Sequence, residues 1–242
     1  MKKISCILFA ILVLALGASA QTKTQRFGSK DLNTAIETWK YVADNNKKDQ
    51  ADWAKAVYQE FGLNDEGAIR HAFVVNARDS FDIATVMGLT KMWINKAFTY
   101  QGDTIVEYDV EKRIIRAQFR LVGMADAYGF QGLGATASEA HVTIPLDITF
   151  QFKENRLRYD ARISNFILDS SDWVKDVVGK VTPVADCYPV KANGKHRDSY
   201  SRAFINGNAK CLTACRDYIT YLNSHFGEQP KPVEKQKAEE DW

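Results

Sequence analysis

Arginine side chains recur at regular spacing in two segments of the chain. Arg116 and Arg120 flank Gln118 in the first segment, and Arg158 and Arg162 lie four residues apart in the second. Alternate residues of a β-strand point to the same side, so the spacing predicts that these five side chains share one face of a sheet. A planar guanidinium donates paired hydrogen bonds to carboxylate, phosphate or sulfate groups, and such a face therefore suits an anionic ligand.

The same pattern is also typical of an ordinary solvated sheet face. Asp147, Thr149, Gln151 and Asp160 fall on the same predicted side. Exposed arginine–aspartate pairs across strands contribute less than about 1 kcal/mol each. The arginines therefore predict either a ligand or partner site, or a face whose charges are paired with one another and with water.

The sequence lacks the local motifs of a metal site, a serine hydrolase or a nucleotide-binding loop. The sequence has no His-Glu-x-x-His or Cys-x-x-Cys spacing, so it predicts no metal site. The Gly-x-Ser-x-Gly motif of serine hydrolases is absent. Residues 129–134 are rich in glycine but lack the lysine and Ser/Thr that complete a phosphate loop, and we predict no cofactor. The four histidines are scattered: His71, His141, His196 and His225.

The first 20 residues have the pattern of a secretory signal peptide. Lys2 and Lys3 precede an apolar run over residues 7–16, and Ala18-Ser19-Ala20 supplies the small residues of a cleavage site. We therefore expect an exported protein of the periplasm or the extracellular space. No later segment approaches the ~20 apolar residues of a membrane span, so no integral membrane anchor is predicted.

Removal of this leader leaves 30 basic and 30 acidic side chains, because residues 1–20 hold two of the 32 basic residues and none of the 30 acidic ones. Proteins that bind nucleic acid usually carry a basic surplus, since phosphate contacts supply most of their non-specific affinity. The balanced charge therefore argues against nucleic acid as a partner.

Three cysteines follow the predicted leader. Cys211 and Cys215 lie one helical turn apart, where their Cβ atoms are farther apart than the ~3.5–4.5 Å that a disulfide needs. In an oxidising compartment, a disulfide from Cys187 to Cys211 or to Cys215 is one expectation. Three buried, reduced thiols are the other, because cysteine is often a small core residue.

Alternating apolar residues predict a sheet with one buried face. Residues 142–152 alternate strictly, a turn follows at 153–155, and the alternation resumes from Leu157 to Ile163, which is typical of a β-hairpin. Further strands are expected at 68–77, 104–110 and 113–122. Residues 123–139 show neither strand nor helix periodicity, and we interpret them as a mobile hairpin loop.

Segments with helical periodicity lie before, between and after these strands in the sequence. We expect an N-terminal pair at 29–45 and 51–61, a helix capped by Asp79 or Ser80 and ending near Phe98, a short helix at 171–178, and a final helix at 200–226 that Gly227 ends. The fold class is α+β, an antiparallel sheet of about five strands in the order β-α-β-β-β-β-α with helices on one face. The predicted divisions are a signal peptide at 1–20, the helical pair at 21–66, the α+β domain at 67–227 and a disordered tail at 228–242.

Several short segments resemble a family of secreted bacterial proteins of unknown function with a TATA-binding-protein-like fold. They are Phe73-Val74-Val75 at the end of a strand, the helix with Trp93, Glu107-Tyr108-Asp109 before Arg113-Ile114-Ile115, and the turn and strand at 153–159. The resemblance implies an antiparallel sheet with helices on one face. It implies no catalytic residues.

Two classes of function are consistent with the sequence. The first is a non-enzymatic binding module that uses the polar, arginine-bearing face or the cleft under residues 123–139 to bind a small molecule or an envelope protein. The second is an envelope or secreted hydrolase whose site is assembled from sequence-distant residues, because carboxylate pairs leave little trace in one sequence. The absence of a local catalytic motif favours the binding module over an enzyme.

Overall fold

Strand β6 (Ser138–Lys153) runs through the centre of the sheet in this computed structural model, which describes residues 25–46, 49–98, 105–122, 127–129, 138–171, 179–192 and 196–226. The strand has 16 residues, enough to pair with four others. β4 (Ile114–Leu121) and β7 (Arg156–Ile163) flank its C-terminal half, whereas β5 (Ala127–Gly129) and β8 (Asn165–Ser171) pair with its N-terminal half.

The remaining strands extend the sheet on both sides. They are β1 (Phe27–Gly28), β2 (Ile69–Ala77), β3 (Ile105–Asp109) and β9 (Lys180–Pro183). The main order is β1-β2-β7-β6-β4-β3, β9 pairs with β8, and every pairing is antiparallel. The predicted α+β class with an antiparallel sheet is confirmed.

One face of the sheet is buried, as the alternation predicts. On β6 the apolar residues from Val142 to Phe152 are at most 3% exposed. On β7 the residues Leu157, Tyr159, Ala161 and Ile163 are at most 1% exposed. We call the opposite side, with the side chains that alternate with these, the polar face.

Helices cover the buried face. They are α1 (Lys30–Asn46), α2 (Gln50–Phe61), α3 (Ile83–Phe98) and α4 (Arg197–His225). Helix α4 packs on β2, β6 and β7, α3 packs beside it on β4 and β6, and α1 and α2 pack on its other side. The predicted N-terminal pair thus contributes Leu32, Val42, Ala54 and Val57 to the same hydrophobic core as the sheet.

Two helices begin at an aspartate that caps the first turn. Asp49 Oδ1 accepts hydrogen bonds from the backbone N–H groups of Ala51 and Asp52, at 2.8 and 3.0 Å. Asp82 caps α3 by accepting from the Thr85 N–H at 2.8 Å. The expected cap at Asp79 or Ser80 is wrong, because buried Phe81 donates its N–H to Glu154 O and is held outside the helix.

The described residues form four strands in addition to the five that the sequence predicts. β1 and β5 have two and three residues, too few for a periodic signal. The loss of alternation predicts that the chain leaves the sheet after Phe166, but β8 continues to Ser171 and pairs with β6. Its consecutive apolar residues, Phe166-Ile167-Leu168, hide the alternation.

Several predicted segments lie outside the described residues. These are the signal peptide, the tail with Gly227, most of the 123–139 segment and all but Ser171 of the expected helix at 171–178. In the part of the chain that the structure describes, no helix combines the length and the apolar character needed to cross a membrane.

Candidate functional site

The polar face is built from three rows of side chains that run across β4, β6, β7 and β2. The first row contains Gln118, Asp147, Arg162 and Arg70, and the second contains Arg116, Thr149, Asp160 and Ala72. The third contains Ile114, Gln151, Arg158 and Val74. Beyond the third row, Lys153 and Arg156 face each other beside the β6–β7 turn. The predicted hairpins therefore share one sheet and one face.

The exposed fraction of the side chains on the polar face decreases along β6 with distance from the β6–β7 turn. Gln151 is exposed, Thr149 and Asp147 are half-buried, and Thr143 is 3% exposed and hydrogen-bonded to Asp169. The end of the polar face that lies beside the β6–β7 turn is thus the most accessible to a ligand.

Asp160 holds two of the arginines. Arg70 donates from Nε and Nη2 to the two carboxylate oxygens at 2.9 and 2.7 Å. Arg158 Nη2 donates to Asp160 Oδ2 at 3.1 Å. The hydrogen bond with Asp160 and the charge of Asp160 raise the pKa of Arg70, so its guanidinium stays protonated in this cluster.

The other candidate arginines differ in their partners. Arg162 Nη1 lies 2.6 Å from Glu66 Oε2, and Arg116 Nη1 lies 3.7 Å from Glu107 Oε2. Arg120 is exposed and lies opposite Pro145 at the end of β4, outside the three rows. The structure brings Arg116, Gln118, Arg158 and Arg162 together, with Arg120 at their margin.

Asp147 is the half-buried carboxylate of the first row. Loss of solvation raises its pKa from the ordinary value of 3.8, and the hydrogen bond with Gln118 and the charge of Arg162 oppose this shift. Gln118, which the strand spacing predicts on this face as a ligand-binding residue, is therefore a partner of Asp147.

One depression of the polar face, of about 480 Å³, lies beside β3 and is lined by Glu107, Asp109, Glu111, Ile114 and Arg116. Two others lie on the three rows and at the turn end. The first of these two, of about 370 Å³, is the central depression; it has acids and bases side by side, with Glu66, Asp147 and Asp160 among Arg70, Arg116 and Arg162. The second, of about 350 Å³, lies at the turn end. Its lining has four cations and, among the described residues, no carboxylate: Lys112, Lys153, Arg156 and Arg158. We call it the basic depression.

Two of its cations have an acidic partner and two do not. Lys112 Nζ lies 3.0 Å from Asp109 Oδ2, and Arg158 is held by Asp160. Within the described ranges, neither Lys153 nor Arg156 has a carboxylate oxygen within 4.0 Å. Lys153 and Arg156 are thus an unneutralised pair of cations at the turn end of the polar face, and like charges directly opposite across strands are destabilising.

Sequence reasoning included Arg158 but missed Lys112, Lys153 and Arg156 as site residues. The sequence-based interpretation assigned Lys153 to the turn, whereas the structure has a two-residue turn at Glu154-Asn155 that pairs Lys153 with Arg156. The sequence does contain a signal for this pair. Lys153 and Arg156 stand immediately on either side of Glu154-Asn155, and a two-residue hairpin loop places the residues that flank it face to face.

The cysteines lie apart from this face. All three are free and buried, and Cys187 lies within hydrogen-bond reach of Tyr200, at the start of α4. Cys211 is eleven residues farther along the helix, which is about 16 Å along its axis and well beyond disulfide distance. Burial raises the pKa of Cys187 and of Cys211 to about 12. The structure therefore does not bring together the residues of the expected disulfide.

In the described part of the chain, no cluster of three or more His, Cys, Asp or Glu side chains could hold a metal ion.

The structure matches solved bacterial structures at low sequence identity. One is a TBP-like protein from Parabacteroides distasonis, with a TM-score of 0.45 and 10% identity, over 64% of this chain and 94% of that chain. Another is a DUF4468 family protein from Bacteroides ovatus, with a TM-score of 0.41 and 11% identity, over 67% of this chain and 94% of that chain. The resemblance expected from the sequence is thus confirmed as a structural match. No protein-family model matches the sequence, and no curated protein matches it.

Proposed function

We propose that this protein is an exported, non-enzymatic binding module that holds an anionic ligand on the polar face of its sheet. The observation that carries the proposal is the basic depression, where four cations meet without a carboxylate in the lining of described residues. Neighbouring cations repel one another, so an anion placed among them gains attraction and also relieves that repulsion.

The ligand is proposed to bind at the turn end of the face. There Lys153 and Arg156 are exposed and lack carboxylate partners among the described residues. Arg158 contributes to the same lining, whereas Arg116 pairs with Glu107, Arg162 pairs with Glu66 and Gln118 hydrogen-bonds to Asp147. In this arrangement the central depression supplies a rigid, internally paired support beside the binding end.

A hydrolase is the second candidate, and one observation favours it. Asp147 and Asp160 are diagonal neighbours on β6 and β7, a position that puts Cα atoms ~7–8 Å apart and two carboxyl groups on the same face, as inverting glycosidases require. Burial raises the pKa of Asp147, as a general acid requires. However, Arg70 and Arg158 occupy both oxygens of Asp160, so a water-activating base is poorly supported.

Titration of the purified, ¹⁵N-labelled protein with inorganic phosphate tests the binding proposal by NMR. We expect the largest amide shift changes at Lys112, Lys153 and Arg156. Removing two charge-assisted contacts in the double variant Lys153→Gln/Arg156→Gln is expected to weaken the phosphate affinity about tenfold or more.

Lys30→Gln/Lys40→Gln is the matched control, because it removes two exposed lysines from α1 without touching the sheet. It is expected to leave phosphate affinity unchanged. Shifts confined to residues outside the polar face, or equal losses in the two double variants, would refute the proposal.

A further inference from the structure

The basic depression has a cationic side at the turn. Lys153 and Arg156 are direct partners across β6 and β7. Lys112, from the turn that joins β3 and β4, lines the same depression. Because these cations come from two adjacent turns, one anionic group can approach all of them from the solvent.

The depression also has an apolar side, which an inorganic anion would leave unused. Val74 and Ile114 occupy the two ends of the third row, and both line the depression. Val74 is 40% exposed, because β1 flanks β2 only at residues 76 and 77. Between them, Arg158 directs its guanidinium to Asp160 in the second row, so its head group points away from the turn.

This juxtaposition of unneutralised cations and exposed valine in one concave surface defines the chemistry of the ligand. We propose that the basic depression takes an amphiphilic organic anion: a carboxylate or phosphate group carried on a short alkyl or aryl chain. The inference rests on the proposed function and names the ligand class for that site. The anionic group binds beside Lys153 and Arg156, and the chain covers the third row from Val74 towards Ile114.

A single dissolved molecule is the occupant that fits this surface. A concavity of about 350 Å³ is within the usual range for small-molecule sites, ~300–1,000 Å³. A bilayer presents a broad surface and does not enter a depression of this kind. The charged side, with Lys112, Lys153 and Arg156, complements one anionic head group.

Calorimetric titration with three probes tests the inference: octyl phosphate as the monomer, inorganic phosphate, and neutral octyl glucoside. We expect octyl phosphate to bind at least about tenfold more tightly than inorganic phosphate, because several methylene groups leave water. Octyl glucoside is expected to bind at least about tenfold more weakly than octyl phosphate, because it lacks the charge.

Two double variants separate the two sides of the site. Val74→Thr/Ile114→Thr keeps β-branched side chains on the strands while making them polar, and it is expected to remove the advantage of octyl phosphate without changing the affinity for inorganic phosphate. Lys153→Gln/Arg156→Gln is expected to weaken both phosphate probes. Circular dichroism confirms that each variant is folded.

The outcomes distinguish this inference from the proposed function. If octyl phosphate and inorganic phosphate bind equally well at the turn end, the amphiphile is excluded while anion binding stands. If neither binds there, both proposals fail. Equal affinity for octyl glucoside would show simple apolar adsorption. Recruitment to phosphatidylglycerol vesicles without binding of the monomer would indicate a membrane surface and also overturn the inference.

Discussion

A buried histidine links the sheet to the longest helix. His71 is 6% exposed, and its Nε2 lies 2.8 Å from Oδ1 of Asn208 on α4. Its ring packs near Phe61 and Phe73, with centroid distances of 5.5 and 6.2 Å. Loss of solvation lowers the pKa of His71 from its ordinary value of 6.5, and the hydrogen bond with Asn208 only partly opposes this shift.

We expect acid to destabilise the protein through His71. As the pH falls below 6.5, the unfolded chain takes up a proton on His71 before the folded protein does. The free energy of unfolding therefore falls by up to about 1.4 kcal/mol per pH unit until the folded-state pKa is passed. This contribution is fully present above pH 6.5. Urea unfolding at about pH 7.5 and about pH 5.5 measures the difference.

His71→Gln is the diagnostic variant, because an amide keeps a donor for Asn208 but does not titrate. It is expected to flatten the pH dependence, whatever its effect on absolute stability. Asp49 and Asp82, which cap helices, and Asp109, in the β3–β4 turn, have a pKa below 3.8, so their contributions are lost only at lower pH. An unchanged slope in His71→Gln would contradict this account.

At the scale of elements, α4 organises the core by lying close to the sheet. Gly207 faces the strands, and a Cβ at this position would lie 3.0 Å from Ile163 Cδ1 and 3.5 Å from Ile69 Cδ1. Tyr159, on β7, donates its hydroxyl to Cys211 O on the same helix at 3.1 Å. The distance between helix and sheet is therefore fixed by the absence of a side chain at residue 207.

Replacement of this glycine by a large residue is expected to force the two layers apart. Gly207→Leu should lower the free energy of unfolding by about 1–3 kcal/mol or more through overpacking. Gly88→Leu is the matched control, because Gly88 is exposed on α3 and a Cβ there meets nothing within 4 Å. It should stabilise or be neutral, since leucine favours a helix more than glycine does. Equal effects of the two substitutions in chemical denaturation would disprove the role of Gly207.

The elements differ in how well the sequence predicts them. β6 and β7 alternate over many residues, and one slipped residue would expose the whole apolar set, so their pattern determines both their existence and their faces. β8 lacks that pattern because Phe166, Ile167 and Leu168 are consecutive. β9 has four residues and ends in Pro183. These strands form by pairing with neighbours that are distant in sequence, and the local sequence carries no signal of that pairing.

At the scale of the whole molecule, the helices lie on one side of the sheet, and the paired cations Lys153 and Arg156 lie at one end of the other side. The sequence predicts the polar face and most of its arginines, because strand periodicity determines direction. It does not predict which arginines are paired, since Arg162 meets Glu66 and Arg70 meets Asp160 only through the strand register and the fold. The unneutralised end of the face therefore emerges only from the structure.

A crystal structure of the protein soaked in selenate, an anion that anomalous scattering locates directly, tests the central claim. We expect an anomalous peak in the basic depression, within hydrogen-bond distance of Lys153 and Arg156, and its loss in crystals of Lys153→Gln/Arg156→Gln. Peaks only at other cationic side chains, with the basic depression occupied by water at the same selenate concentration, would contradict the account.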